Sequence, residues 1–115
     1  MGRLTTHVLN TAEGIPAVGM AVRLLRGDTR TQILETRTNT DGRSDAPLLE
    51  GAAFTTGKYI LAFSAADYFR GRKAQLADPP FLDVIEIAFG IGDAGVHYHV
   101  PLLVSPWAYS TYRGS

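Results

Sequence analysis

The chain has 115 residues, 45% of them hydrophobic and 19% charged, with 11 basic side chains against 11 acidic ones. A balanced charge leaves no global field to gather nucleic acid or an anionic membrane surface. The absence of cysteine excludes disulfides and thiolate chemistry, and the length predicts a single domain with a real core.

The N-terminal residues pass straight into alternating polar and apolar positions, without the apolar stretch of a secretory leader. No apolar run approaches the ~20 residues of a membrane helix. The expected compartment is therefore the cytoplasm. The first predicted strand covers residues 3–9, with Thr5, His7 and Leu9 on one face and Leu4, Thr6 and Val8 on the other. A turn is expected at 13–16. A second strand follows at 19–26, with Met20, Val22 and Leu24 sharing a face, and a third at 31–38 in which Ile33 is half exposed. Asn39-Thr40-Asp41-Gly42 reads as a tight turn, because glycine takes positive φ cheaply.

Residues 57–64 (GKYILAFS) form a strand. The period then changes, and Ser64 is placed to N-cap a short helix over 65–76, stopped before Pro79-Pro80. Strands follow at 82–89, 96–104 and 107–113. Gly90-Ile91-Gly92 is a turn and not a phosphate loop, since no helix follows it. Many short strands with turn punctuation predict an all-β sandwich of seven or eight strands with one short helix.

The strand at 96–104 carries two of the three histidines. Tyr98, Val100, Leu102 and Val104 share its apolar, core-directed face. His97, His99, Pro101 and Leu103 share the other, a combination suited to a surface that another copy of the chain encloses. Pro101 lacks an N–H and predicts an edge position or a bulge. Tyr112 shares a face with Ser110 on the last strand.

HYHVPLL followed by SPWAYSTYRGS, with an early THVLN and a central TDGR, resembles the transthyretin-like hydrolases, the 5-hydroxyisourate hydrolases of purine breakdown. The resemblance runs from Leu4 to Ser115, and the YRGS ending is specific to the enzymes. Transthyretin, the thyroid-hormone carrier, shares the YST segment but lacks the histidine pair and that ending. Asn10 stands where many members have Asp, and Trp107 where Tyr or another aromatic is common.

The resemblance implies one transthyretin-like domain over residues 1–115. Its fold would be two four-stranded sheets with a short helix after the fifth strand. It also implies a homotetramer, a dimer of dimers, whose active sites lie in a channel between dimers and bring His7, His99 and Tyr112 together. Carried over by motif, the catalytic residues are His7, Arg43 and His99, and the substrate-binding residues are His7, Arg43, Tyr112 and Ser115, with no metal or other cofactor. His97 and Arg113 receive no assigned role.

The chemistry needs water deprotonated, an oxyanion stabilised and a leaving nitrogen protonated. Imidazoles exchange protons near neutrality, and the Arg43 guanidinium holds its charge and offers a planar donor fork. Either His7 or His99 can be the base, with His7 favoured. Ser115, through its hydroxyl and terminal carboxylate, would complete the pocket. Two other readings stay open. One is a three-histidine zinc hydrolase built on the H-x-H strand. The other is a carrier that binds a small ligand without turnover.

Overall fold

The computed structural model describes residues 2–115. One sheet is antiparallel throughout, in the order β5 (Gln32–Arg37), β4 (Ala21–Arg26), β7 (Gly57–Ser64), β8 (Val84–Ile91). The other is built on a parallel pair. Strands β1 (Arg3–Thr5) and β2 (Val8–Asn10) are successive lengths of one strand, and β9 (Tyr98–His99) and β10 (Leu102–Val104) of its neighbour. One register runs through both, with Leu4 opposite Tyr98, Thr5 opposite His99 and Val8 opposite Leu102. Strands β6 (Leu49–Glu50) and β3 (Ile15–Pro16) pair along one side of this unit, and β11 (Tyr109–Ser110) along the other.

The alternation predicted for the parallel pair is the one observed. Leu4, Val8, Leu102 and Val104 are fully buried and meet Val22, Leu24, Leu61 and Phe63 of the opposite sheet. Burial of each such side chain stabilises the fold by about 1.5–3 kcal/mol. Thr6 lies on the same buried face, and its hydroxyl donates to the Val100 carbonyl at 2.8 Å, so its polar group is not stranded.

Five sequence expectations need correction. The segment expected as a plain turn at 13–16 contributes β3, and β6 was not anticipated; neither two-residue strand is long enough to show a period. The helix, α1 (Ala65–Gly71), stops short of Leu76. Gly71 closes it and Lys73 adopts a left-handed φ of 62°, after which Ala74 and Leu76 still pack on the core as loop residues. Ser64 occupies the cap position but makes no side-chain cap bond; the Asp83 carbonyl accepts the Ala66 N–H instead. Gly90 and Ile91, expected in a turn, instead end β8 opposite Lys58 and Gly57, because the long partner strand β7 extends the ladder past Phe89. Finally, the last strand does not run unbroken over 107–113.

Pro101 explains that break. Leu103 pairs with Ser110, and His99 exchanges both main-chain bonds with Gly114, at 3.1 and 2.7 Å. Midway between these pairs the register sets Pro101 opposite Tyr112, where proline has no N–H to give. The Thr111 hydroxyl donates to the Pro101 carbonyl at 2.7 Å in place of a full ladder pair. The terminal segment is thus held at two points with a detour between them.

Candidate active site

The parallel pair sets side chains beside one another across the sheet. Thr5 stands opposite His99, and the same register sets Arg3 opposite His97. On the other flank of this strand His7 forms an isolated antiparallel bridge with Arg43. Alternation then puts Arg3, Thr5, His7, His97 and His99 on one face, the face directed away from the buried core.

Arg43 reaches that face through a tightly specified turn. The Asn39 side-chain oxygen accepts the N–H groups of Asp41 and Arg43, at 2.9 and 3.1 Å. Val8 N–H donates to the Gly42 carbonyl at 2.8 Å, which ties the turn to β2. Gly42 has φ of 78°, and a Cβ there would lie 2.5 Å from the Val8 carbonyl oxygen and 3.3 Å from the His7 ring. Only glycine fits without moving the chain, and its neighbour Arg43 is thereby held beside His7.

A depression of about 380 Å³ opens on this face, lined by Arg3, Thr5, Thr6, Arg43, His97, His99 and Ser115. Its volume is in the range of small-molecule sites. Among the residues predicted to act, Arg43, His99 and Ser115 share this depression. His7 adjoins it through the Arg43 bridge and is near enough to disfavour a charge on His99. Tyr112 is not among them: it is exposed and lines a second cleft with Ile87, Phe89, Tyr98 and Arg113. In one protomer, therefore, Tyr112 and the histidines do not share a cavity.

Several contributors escaped the sequence reading. Arg3 donates from Nε to His97 Nδ1 at 3.2 Å, and the Thr5 hydroxyl lies 3.0 Å from His97 Nε2 and 2.8 Å from His99 Nδ1. The signal was present in the alternation, which set Thr5 on the face of His7. Gly114 packs flat on the His99 ring: a Cβ there would come within 3.1 Å of His99 Cβ and 3.2 Å of Cδ2. Arg113 lies 4.4 Å over the Tyr98 ring and donates to the His97 carbonyl, bracing the terminal segment.

The electrostatics favour neutral imidazoles. His99 is held below the ordinary value for histidine, first by burial, then by the charges of Arg43, His7 and His97. His97 is lowered too, first by burial and then by Arg3. A depression walled by two guanidiniums, with imidazoles kept uncharged, suits a flat ring rich in carbonyls that gains negative charge as it reacts. Among the described residues, no three His, Cys, Asp or Glu side chains are grouped to hold a metal ion.

Comparison with known proteins agrees with this architecture. The chain is 57% identical to a 5-hydroxyisourate hydrolase of Ralstonia nicotianae, over the full length of both. A solved (S)-allantoin synthase superposes with a TM-score of 0.94 at 45% identity; the match covers 99% of this chain and 44% of that longer one. The Klebsiella pneumoniae 5-hydroxyisourate hydrolase structure matches with a TM-score of 0.83 and 32% identity over the whole of both chains. The model of the HIUase/Transthyretin family matches residues 4–114. A two-sheet sandwich with one short helix, relatives of this identity and a family match spanning nearly every residue leave one assignment: the chain belongs to the HIUase/Transthyretin family.

Proposed function

We propose that this chain is a single-domain hydrolase that converts 5-hydroxyisourate to 2-oxo-4-hydroxy-4-carboxy-5-ureidoimidazoline, a step in urate breakdown. His7 takes a proton from water as the oxygen adds to the ring carbonyl. Arg43 stabilises the oxyanion that forms. The C–N bond then breaks, and the departing nitrogen receives the proton that His7 took from water, while His99 donates a hydrogen bond from Nε2 to the reacting group. Ser115 borders the substrate. Tyr112 joins the site when a second copy of the chain closes over the face, in a homotetramer working in the cytoplasm without a cofactor.

The observation that carries this reading is the meeting of Arg43, His99 and Ser115, distant in sequence, at one small cationic depression. The exposed Trp107, Tyr109 and Tyr112 support assembly, since large aromatics are enriched where proteins pack together. The carrier reading fits less well: the carrier has neither the histidine pair nor the YRGS ending.

The test is the decay of freshly made 5-hydroxyisourate, followed spectroscopically. Wild-type protein should accelerate it well above the spontaneous rate. His99→Ala should fold and assemble yet lose roughly 10²–10³-fold in kcat/KM, the span for removing a positioned hydrogen-bond donor. Arg43→Ala should fall by at least about 10²-fold, as for removal of an oxyanion donor. Wild-type protein that leaves the spontaneous rate unchanged would point to a binder. Activity lost to a chelator and restored by zinc would revive the metal mechanism.

A further inference from the structure

We infer that Arg3, His97 and Thr5 form a directed hydrogen-bond chain that fixes His99 as its Nε2–H tautomer, so that His99 meets the substrate as a hydrogen-bond donor. The inference rests on the function proposed above for its catalytic consequence, but the tautomer itself is read from geometry alone.

The direction follows from the one partner that can only donate. Arginine Nε carries a proton at every working pH and has no acceptor capacity. Arg3 Nε lies 3.2 Å from His97 Nδ1, so that nitrogen must be the bare, accepting one. A neutral His97 then carries its proton on Nε2, which faces the Thr5 hydroxyl at 3.0 Å. That bond occupies Thr5 Oγ1 as an acceptor. The hydroxyl's own proton turns to its other partner, His99 Nδ1, at 2.8 Å. With Nδ1 accepting, a neutral His99 holds its proton on Nε2, the nitrogen left to face the cavity that the ring lines.

The chain is built into the strands. Thr5 and His99 are paired residues of the parallel ladder, and Arg3 and His97 stand one step along in the same register. Side chains directly opposite are held within reach of one another. Gly114, packed against the other side of the imidazole, prevents the ring from moving off the Thr5 hydroxyl. Arg3, Thr5 and His97 are thus positioning residues that act through His99.

This divides the labour between the two candidate histidines. A bare Nε2 would be needed for His99 to take a proton from water at the cavity. The chain places a proton there instead. His99 therefore steadies the reacting group by a hydrogen bond from Nε2, and His7 is the base that takes the proton from water and returns it to the leaving nitrogen.

The experiment is nitrogen-15 NMR on wild-type protein labelled at histidine, with kinetics on Thr5 variants beside it. The neutral His99 ring should show a protonated Nε2 and an unprotonated Nδ1. The opposite pattern would overturn the inference whatever the kinetics. Thr5→Val should lower kcat by roughly 10- to 100-fold, the range seen when a partner orienting a histidine ligand is removed, while KM moves far less. Thr5→Ser should restore most of it. Thr5→Val with wild-type kcat, alongside an inactive His99→Ala, would reject the chain while leaving the hydrolase reading standing. Wild-type protein without hydrolase activity would reject that reading, and the NMR pattern would still decide the tautomer.

Discussion

At the scale of residues, the site disfavours charge on the His97 and His99 imidazoles among guanidiniums. His99 starts from an ordinary value of 6.5 and is pushed down by burial, Arg43, His7 and His97. Its Cε1 proton resonance should accordingly titrate with a midpoint below 6.5. The sign carries over to stability. Below its ordinary value, the unfolded chain protonates this ring while the folded chain resists, so the unfolded state binds more protons and acid favours unfolding. His97 adds in the same direction. Urea melts from about pH 7 to about pH 5 should show falling stability. The fall should be shallower in His99→Gln, which has no ring to protonate. What the sequence disclosed at this scale was limited by distance along the chain. His99 and His7 stood out because the resemblance named them. Thr5 looked like an ordinary strand threonine until the register set its hydroxyl between two imidazoles.

Elements place those residues, and two glycines do much of the placing. Gly42→Ala forces a side chain onto a backbone with φ of 78° and into the Val8 carbonyl. Thermal or urea denaturation should register a loss of about 1–3 kcal/mol, the range for a strained left-handed residue, with activity falling as Arg43 leaves His7. Gly114→Ala differs in kind. It meets the His99 ring and not a strained backbone, so kcat should fall roughly 10-fold or more while the melting temperature barely moves, because a small displacement of a reacting group is costly. The strands facing the core were legible because burial enforces a period of two, as at Val100, Leu102 and Val104. Strands β3 and β6 were not, since two residues carry no period. The end of α1 was hidden because Leu76 keeps its apolar role after the helix has stopped. Pro101 leaves the expected gap in a ladder but no bulge, since one register runs on either side of it. That it would set the terminal segment on a detour at Tyr112 depended on a partner strand the sequence could not align.

For the molecule as a whole, the proposed homotetramer predicts a sedimenting species of four times the mass of one chain. Trp107, 66% exposed in the turn between β10 and β11, is the side chain to test. Trp107→Glu should shift the protein toward smaller species if that surface is enclosed on assembly, since an unpaired charge in a packed interface is costly. A single copy should then bind substrate poorly, because Tyr112 lies outside the protomer's own depression.

The parallel pairing of β1 with β9 has a last consequence, in time rather than space. Leu4 meets Leu49 early, but it finds its parallel neighbour only when Tyr98 exists, and His99 joins the depression only then. Contacts between such remote stretches are slow to form, since a long loop must be closed before they stabilise anything. During synthesis the opening strand can pair early with β3 and β6 on one side, but its other side must wait for β9 and β10. Partial chains that stop before His99 should therefore have no catalytic power at all.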